Sequence, residues 1–469
     1  IFREWPLSME IGVPSQSHIA KLVLEKYSSL PKNGKPQPHE WTVLAGVVRT
    51  ISTSSKQSSS VVAIATGTKC VGKKHVNKSG DTLNDCHAET LVRRALVRYL
   101  FEDLLKPVDK MVNFEPTEEK GIFRLSPALS FDLYISQPPC GDASIYETTL
   151  VTVRKRKRDE TLAEEKETNT TNPIPDSNRT GAKVVGWQGN QGNGPGSGEW
   201  GQGSKQNAGL TRLKSGRSDL PKELVTTSMS CSDKLCLATY AGFQSALLSR
   251  FLRSPLTFRS LTISRPPDAL KEAVSNAVSR ALWRRIARVC TSQNETVQAA
   301  CLKSPGPPEI IICEEKFENH RLEVKRKLAE LKGSSGAGQQ KLGRKVPASG
   351  VAINWYEGVG VEVVTGAFGR KQGASSRQTS KKTCSRLSKP AMWGIAIQVA
   401  KSLGVEGESW EYSQWKQKAQ WYQKLKGQLK GQDGPLRPWV RKASPQGISP
   451  LILRVPHADK IKCQKTIET

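Results

Sequence analysis

The run Asn84-Asp85-Cys86-His87-Ala88-Glu89 is the most informative part of this 469-residue chain, and its counterpart downstream is Pro139-Cys140-Gly141-Asp142. Apolar residues recur with helical spacing from Ala88 to Leu105, which predicts a helix with His87 and Glu89 at its first turn. The apolar stretch Leu133–Ser136 predicts a strand that ends at the prolines before Cys140. A strand followed by a polar ligand and a helix thus occurs twice. This arrangement predicts an α/β fold whose metal-type ligands gather at the ends of strands.

The residue types in these runs match the needs of a catalytic zinc site. A histidine and a cysteine can hold zinc, and a carboxylate two residues beyond the histidine can move protons for an activated water. The pattern H-x-E followed by P-C is part of the motif of zinc nucleobase deaminases, in which the glutamate is the proton carrier rather than a ligand. Cys140 is followed by Gly-Asp-Ala, so the usual second cysteine of a C-x-x-C is missing. A histidine-glutamate pair alone would also fit an ordinary capped helix start.

A third ligand must therefore come from another part of the chain, because catalytic zinc uses three protein ligands and one open position. Cys231 is the best candidate of the 10 cysteines. It precedes a helical stretch, Leu235–Leu248, where the helix N-terminus and Lys234 would favour a thiolate. Cys236 is the alternative, although it lies further into the predicted helix.

These segments, together with Met229 to Lys234, resemble the adenosine deaminases that act on RNA, and the resemblance extends from about Trp41 to Lys442. It implies zinc on His87, Cys140 and Cys231, with Glu89 as the proton shuttle for hydrolytic deamination of adenosine to inosine. It also implies a cytidine-deaminase-like α/β core, in which a mixed sheet is flanked by helices. C-terminal α/β elements enlarge this core, and a low-complexity insertion interrupts it.

Composition points to a polyanionic partner. Lys and Arg number 71 against 43 acidic residues, for a formal net charge of +28, which favours nucleic acid over a small neutral substrate. No apolar stretch reaches the ~18 residues of a membrane span, and we predict no membrane partner. The cysteines lack the spacing of a secreted disulfide framework. The basic run 154–158 fits a nuclear-localisation signal or a solvated linker, so we expect a location in the nucleus, the cytoplasm or both.

The rest of the chain divides into an N-terminal helix with its lead-in (1–40) and one deaminase domain (41–469). An insert at 151–222, rich in Gly, Asn and Gln, is predicted to be largely disordered, and 333–350 is predicted to be a low-complexity loop. Predicted helices are Ser15–Tyr27 and Ala269–Val289; predicted strands are Trp41–Val48, Val61–Ala65, Leu256–Ser264, Glu309–Cys313, Val351–Trp355 and Val359–Thr365.

A second constellation lies in Glu408–Leu429, which we predict to be one helix. Tyr412, Lys416, Tyr422 and Lys426 fall on one face of it with no carboxylate among them. A half-buried set of ammonium groups needs an anion from elsewhere; a solvated basic face that touches RNA is the alternative.

The resemblance favours a buried polyanion, because the RNA-editing deaminases hold inositol hexakisphosphate in their core. The positions that match its shell are Asn84, Arg93, Arg94, Lys234, Lys389, Tyr412, Lys416, Tyr422, Lys426, Trp439 and Lys442. Two positions depart from the family pattern. Leu237 stands where the editors carry an arginine, and Arg441 stands where they carry a glutamate.

The resemblance also implies contacts to the substrate nucleotide from Thr68 and Lys69, although Lys69 would equally suit an ordinary surface position. Ser144 replaces an arginine of the editors, so the grip on the substrate should differ there. The N-terminal helix and the stretch from Lys32 to Trp41 are similar to the tRNA-deaminase branch. That branch forms inosine at the adenosine 3′ of the anticodon in alanine tRNA, a loop nucleotide that is cheaper to extrude than a duplex base.

Three alternatives remain open. A double-stranded-RNA editor would require a further segment before Ile1. A free-nucleoside deaminase would not need the net charge of +28 and usually keeps the local C-x-x-C. A catalytically weak RNA-binding module is disfavoured because all four metal-site residues are present. No protein partner can be inferred from the sequence.

Overall fold

The computed structural model describes residues 17–146, 182–185, 208–215, 221, 224–290, 306–333, 346–374, 381–407, 409–431, 434–440 and 448–453. An eight-stranded mixed sheet forms its centre. The strands of the chain are β1 Leu44–Ser52, β2 Gln57–Thr66, β3 Thr68–Cys70, β4 Asp85–His87, β5 Phe114–Pro116, β6 Phe123–Leu125, β7 Leu129–Ile135, β8 Lys183–Val184, β9 Arg212–Leu213, β10 Ser260–Ser264, β11 Glu309–Cys313, β12 Val351–Tyr356, β13 Glu362–Thr365 and β14 Arg370–Lys371.

The strand order in the large sheet is β11-β10-β7-β1-β2-β12-β13-β14. The β7–β10 and β10–β11 pairs are parallel, and the other pairs are antiparallel. Three two-stranded ribbons, β3–β4, β5–β6 and β8–β9, lie outside it. The predicted α/β class with a mixed sheet is therefore confirmed.

Helices cover both faces of the sheet. They are α1 His18–Ser29, α2 Ala88–Leu104, α3 Cys231–Ala241, α4 Ser245–Leu248, α5 Lys271–Ser279, α6 Arg285–Cys290, α7 Arg321–Gly333, α8 Lys389–Leu403, α9 Tyr412–Lys418 and α10 Gln420–Lys430. A π-helical turn, Arg280–Arg284, joins α5 to α6. Helix α1 packs on one face with Leu44 and Ile64, whereas α2, α3 and α8 share the core on the other face.

The period of two in β1 explains how both faces become buried. Ala45 and Val47 point to the α2 side, and Leu44 and Val48 point to the α1 side. All four are inaccessible to solvent. A sheet covered on both faces needs such nearly continuous apolar strands. The sheet thereby becomes a rigid base for α2, whose first turn carries the two most informative residues of the sequence.

Most predicted elements are present with shifted ends. Helix α1 begins at His18 rather than Ser15, and α2 ends at Leu104 rather than Leu105. The hairpin predicted from Trp41–Val48 and Val61–Ala65 is β1–β2, and the pair around Gly358 is β12–β13. The strand predicted over Leu256–Ser264 is shorter and starts at Ser260.

Two helix predictions were wrong in continuity. The helix predicted from Leu235 stops at Ala241, because Gly242 takes a positive φ of 84°. The helix predicted over Glu408–Leu429 breaks at Ala419, whose ψ of 62° is not helical. Ala419 is only 2% exposed and follows a fully buried Trp415, so tertiary packing accompanies the break. The helix predicted over Ala269–Val289 is present: the chain is helical without a break from Lys271 to Cys290, with the π turn inside the run.

Two short parts of the predicted insert have defined structure. Lys183–Val184 pairs with Arg212–Leu213, and Leu213 forms a further bridge with Met229. The prediction of a largely disordered insert is therefore wrong for these residues. The remainder of 151–222 lies almost wholly outside the described residues, as does 334–345 of the predicted loop. The division of the chain at residue 40 stays a prediction. Among the described helices, none has both the length and the apolar character to cross a membrane.

Candidate active site

His87 stands at the junction between a strand and a helix. It is the last residue of β4 and the N-cap of α2, so its backbone is extended while the next residue is already helical. Strand β4 pairs with β3, and the amide of Ala88 donates to the carbonyl of Gly67 at 3.1 Å. This ribbon fixes the direction of the imidazole. Glu89 follows in the first turn of α2, which confirms the predicted placement of both residues.

Cys140 and Cys231 reach the same point from two other elements. Cys140 lies in the turn after β7, and Cys231 is the first residue of α3. The hydroxyl of Ser232 donates to the carbonyl of Cys140 at 3.0 Å, and the amide of Cys231 lies 3.4 Å from the Cys140 thiol. Ser230 caps the helix by accepting from the Asp233 amide at 3.1 Å. The cap therefore anchors the helix end that delivers the third thiol.

The three predicted ligand atoms converge. His87 Nδ1 lies 3.9 Å from Cys140 Sγ and 3.7 Å from Cys231 Sγ, and all three atoms lie within 4.8 Å of one another. One imidazole and two thiols are a normal donor set for catalytic zinc, and three protein ligands leave a position open for water. Thiolates and imidazole thus fit the ion by number, type and separation. Cys236, the alternative, instead donates to the Leu282 carbonyl at 3.3 Å and does not join the group.

Glu89, two residues after His87, is not among the three converging ligand atoms. Its side chain is buried, and its Oε2 atom has no hydrogen-bond partner. Burial raises the pKa of this carboxyl group above its usual value. A buried carboxylate oxygen without a partner is costly in a folded protein unless a ligand or water completes it. Such an atom beside a three-ligand cluster is suited to proton transfer.

Lys214 is a site residue that the sequence did not reveal. Its ammonium donates to Cys231 Sγ at 3.0 Å and to Asp85 Oδ2 at 2.8 Å, and its side chain is 5% exposed. Asp85 in turn accepts from Lys234, and from the hydroxyl of Ser228 at 2.9 Å. The Asp85 carboxylate therefore lies between Lys234 and Lys214, and Lys214 in turn contacts the Cys231 thiol. The two lysines first and then His87, acting against burial, hold the pKa of Asp85 well below its usual range.

The position of Lys214 comes from strand pairing. The amide of Lys214 donates to the Ser228 carbonyl at 2.8 Å, and the amide of Ser230 donates to the Arg212 carbonyl at 2.8 Å. The end of the predicted insert thus runs beside the segment that leads into Cys231. The Thr211-Arg212-Leu213 stretch interrupts the Gly-rich segment and is weakly typical of a strand. Nothing in the sequence indicated that it pairs with the segment before Cys231.

A cation-lined cavity of about 140 Å³ lies behind α2. Its charged and phenolic lining is Arg93, Arg94, Lys389, Tyr412, Lys416, Tyr422 and Lys426, without a carboxylate. Seven of the eleven predicted anion ligands therefore meet in one space. The break at Ala419 does not disperse them, because α9 and α10 both face the cavity.

The cavity is electrostatically unbalanced. Burial lowers the pKa of Arg94 to about 10, and burial together with Lys426 lowers that of Lys416. Lys430, which the sequence analysis did not single out, lies with its ammonium 3.3 Å from the centre of the Trp439 ring. Burial and then the neighbouring cations lower the pKa of Lys430 to about 6. Buried cations that repel one another need an anion to neutralise them.

The remaining four residues of the predicted inositol hexakisphosphate shell are not among the described residues that line the cavity. Lys234 bonds to Asp85, next to the metal cluster (the candidate ligand atoms of His87, Cys140 and Cys231). It is also among the cations that lower the pKa of Lys430. Asn84 precedes Asp85, and its carbonyl accepts from Val71 at 3.1 Å. The ring of Trp439 contacts the ammonium group of Lys430. Lys442 lies outside the described residues.

The predicted substrate contacts lie on the ribbon next to the metal cluster. Thr68 pairs with His87 across β3–β4, and its buried hydroxyl has no hydrogen-bond partner. Lys69 pairs with Cys86, so strand alternation directs it to the other face, where it packs over Gly366. Ser144 is buried and donates to the Pro139 carbonyl at 2.8 Å. Thr68 is therefore better placed than Lys69, and both contacts stay predictions.

Comparisons with known proteins agree with this geometry. The family model for the adenosine-deaminase (editase) domain matches residues 63–443. The chain is similar to tRNA-specific adenosine deaminase 1 of Mus musculus, with 29% identity over 90% of this chain and 97% of that protein. It is 32% identical to tRNA-specific adenosine deaminase 1 of Drosophila melanogaster, over 58% of this chain and 59% of that protein.

A second group of relatives is matched over a shorter stretch. The double-stranded RNA-specific editase Adar of Drosophila melanogaster is 35% identical over 30% of this chain and 21% of its own length. The matched family model spans His87, Glu89, Cys140, Cys231 and the residues that line the cavity. The chain therefore belongs to the adenosine-deaminase (editase) domain family.

Proposed function

We propose that this protein is a tRNA-specific adenosine deaminase, which converts the adenosine 3′ of the anticodon to inosine in alanine tRNA by zinc-dependent hydrolysis. The observation that carries the proposal is the convergence of His87, Cys140 and Cys231 beside the unpartnered carboxylate oxygen of Glu89. The relatives matched over the greatest share of this chain are named as tRNA-specific deaminases, whereas the double-stranded-RNA editases match shorter stretches. This difference favours tRNA as the substrate.

The residues of the chain account for the proton movements of the reaction. When bound by the three ligands, zinc would lower the pKa of a water so that it attacks near neutral pH. Glu89 accepts a proton from the attacking water and delivers one to the ring nitrogen of adenine, after which oxygen bonds to C6. A second proton passes from the new hydroxyl on C6 through the same carboxyl group to the exocyclic amine, and the bond between C6 and that amine breaks. Adenosine and water thus give inosine and ammonia.

The raised pKa of Glu89 suits this exchange. A proton carrier works best when its pKa is close to the working pH, because it must both accept and donate in one turnover. Burial of Glu89 supplies that shift.

The polyanion that balances the cavity is proposed to be inositol hexakisphosphate. Five cationic side chains line the cavity with two tyrosine hydroxyls, and no carboxylate competes for them. A multiply phosphorylated ring would neutralise them together and stabilise only the folded state. Phosphate analysis of the purified, denatured protein should find several phosphates per chain; their absence would remove this assignment.

The deciding experiment maps inosine in three substrates: purified alanine tRNA, a long duplex RNA and free adenosine. The expected result is inosine in the tRNA alone, at the position 3′ of the anticodon. Inosine in the duplex alone would instead identify a double-stranded-RNA editor.

The matched variant for this experiment is Glu89→Gln, which keeps the size and burial of the side chain but cannot carry a proton. We expect it to fold and bind zinc as the wild type does, while the rate falls by about 10²–10⁴-fold or more. Wild-type turnover by this variant would contradict the role of Glu89.

A further inference from the structure

A lysine-bearing loop joins the two strands of the ribbon that carries His87. It runs over residues 71–84, between β3 and β4. Thr68 at one end of the ribbon pairs with His87 at the other, so the base of the loop is the edge of the metal cluster. Lys73 is five residues from Thr68, which at ~3.3 Å per residue places it within about 17 Å of chain from the site. The loop therefore begins beside the residues that would hold the metal.

The charge of this loop is exposed and one-sided. Lys73, Lys74 and Lys78 are solvent-exposed, and none of them makes an ion pair with the described residues. The loop's acidic residue, Asp81, instead turns toward Arg370 at 3.6 Å and accepts from Ser79 at 2.9 Å.

Surface arginines elsewhere behave differently. Arg253 pairs with Glu118 at 3.2 Å, and Arg265 pairs with Glu314 at 2.7 Å. In the described part of the chain, the three lysines of the loop are thus surface cations without an ion pair.

Two neighbouring segments hold the loop in place. The amide of Lys73 donates to the Val225 carbonyl at 3.3 Å, and that of Leu83 donates to the Gly369 carbonyl at 2.9 Å. The His75 ring meets the edge of Phe368 with centroids 5.4 Å apart. A loop clamped on both sides presents its cations with little further ordering cost on binding.

We infer that Lys73, Lys74 and Lys78 form a docking rim for the phosphate backbone of the RNA nucleotides that flank the target adenosine. The inference rests on the proposed function, because it assigns the rim to the substrate of the same site. Backbone phosphates suit the rim, since ammonium groups bind them as point charges without reading the bases. An acidic protein would be the other occupant of such a surface. The loop that carries the three lysines starts from the ribbon that ends at His87, and this closeness to the site favours the RNA substrate over an acidic protein.

The test is a triple charge reversal, Lys73→Glu with Lys74→Glu and Lys78→Glu, in the full chain carrying Glu89→Gln so that bound tRNA is not converted. The matched control reverses Lys56, Lys110 and Lys325, which are also exposed and make no ion pair with the described residues. Both variants change net charge equally. Dissociation constants for tRNA are measured across a salt series, and circular dichroism verifies folding.

The rim variant should bind tRNA at least tenfold more weakly at low salt, and the slope of log K against log salt should fall by about 2, since each single-strand phosphate contact contributes ~0.7. The control should keep the wild-type slope. Equal slopes for the two folded variants would overturn the inference. Failure of the proposed function would show separately, as wild-type protein that forms no inosine in tRNA. In that case the salt series is repeated on the RNA that the protein does modify.

Discussion

At the scale of single residues, local sequence and long-range contact contribute differently to the site. His87 and Glu89 lie two residues apart, so the helix start that holds both is visible in the sequence. Lys214 contacts Cys231 and Asp85 through strand pairing between distant segments, which no local pattern encodes. Lys214, Ser228 and Lys234 reach the Asp85 carboxylate from 129 to 149 positions along the chain, and that convergence exists only after folding.

Replacement of Lys214 by methionine should destabilise the protein by about 3–5 kcal/mol, because it removes the buried cation that balances Asp85. The loss should also loosen metal binding, since the same ammonium contacts the Cys231 thiol. Urea unfolding and zinc content measure the two effects. An exposed lysine provides the control: Lys56→Met should change the free energy of unfolding by no more than about 0.5 kcal/mol. Equal stability of both variants would show that Asp85 does not depend on Lys214.

At the scale of elements, the two cysteine ligands depend on close packing between the β7 turn and the start of α3. Gly141 has a φ of 107°, and a Cβ there would lie 2.4 Å from Ser230 Oγ. The hydroxyl of Ser232 also bonds to the Pro139 and Cys140 carbonyls. The sequence predicted a helix just after Cys231 but not this contact, because Cys140 and Cys231 are 91 positions apart in the chain.

Gly141→Ala should therefore separate Cys140 from Cys231. Both the left-handed backbone and the contact with Ser230 oppose a side chain at this position, so we expect a loss of stability above the roughly 1–3 kcal/mol of backbone strain. Zinc content should fall with it. Gly209→Ala is the matched control, since its φ of 88° imposes strain while nothing lies within 4 Å of the added carbon. Full zinc content in Gly141→Ala would argue against tight packing at the turn.

At the scale of the whole molecule, the cation-lined cavity links α2, α8, α9 and α10. Its residues come from segments more than 300 positions apart in the chain, and Lys430 adds a further cation near Lys234 and Arg93. Without an anion, folding must bring these charges together against their repulsion. The stability of the whole domain should therefore depend on pH and on a polyphosphate.

Protein refolded without polyphosphate should become more stable as pH rises. The unfolded chain keeps the Lys430 proton up to its ordinary pKa of 10.5, whereas the folded protein releases it near a pKa of about 6. Between these values the unfolded state binds more protons, so the free energy of unfolding rises with pH and falls as pH returns toward 6. Added inositol hexakisphosphate should flatten this dependence.

The measurement is thermal or urea unfolding from pH 6.5 to 9.5, with and without the polyphosphate. Lys430→Met should remove part of the slope, and Lys424→Met, an exposed residue of the same helix, should leave it unchanged. A slope that is identical in all three proteins and insensitive to the polyphosphate would mean that the cavity cations are already neutralised.

The sequence alone determined the α/β class and the helix start at His87 and Glu89. It also pointed to the imidazole and two thiols that converge, and to the cationic residues of the C-terminal helices that line the cavity. Periodicity, spacing and residue chemistry are local properties, and the family resemblance joined the distant motifs. Only the tertiary structure decided that Lys214 balances Asp85, that Ala419 breaks the last helix and that Lys430 approaches the cavity. Each of these depends on which distant segments pack together, because the energy of a buried charge or a helix break is set by neighbours that are remote in the chain.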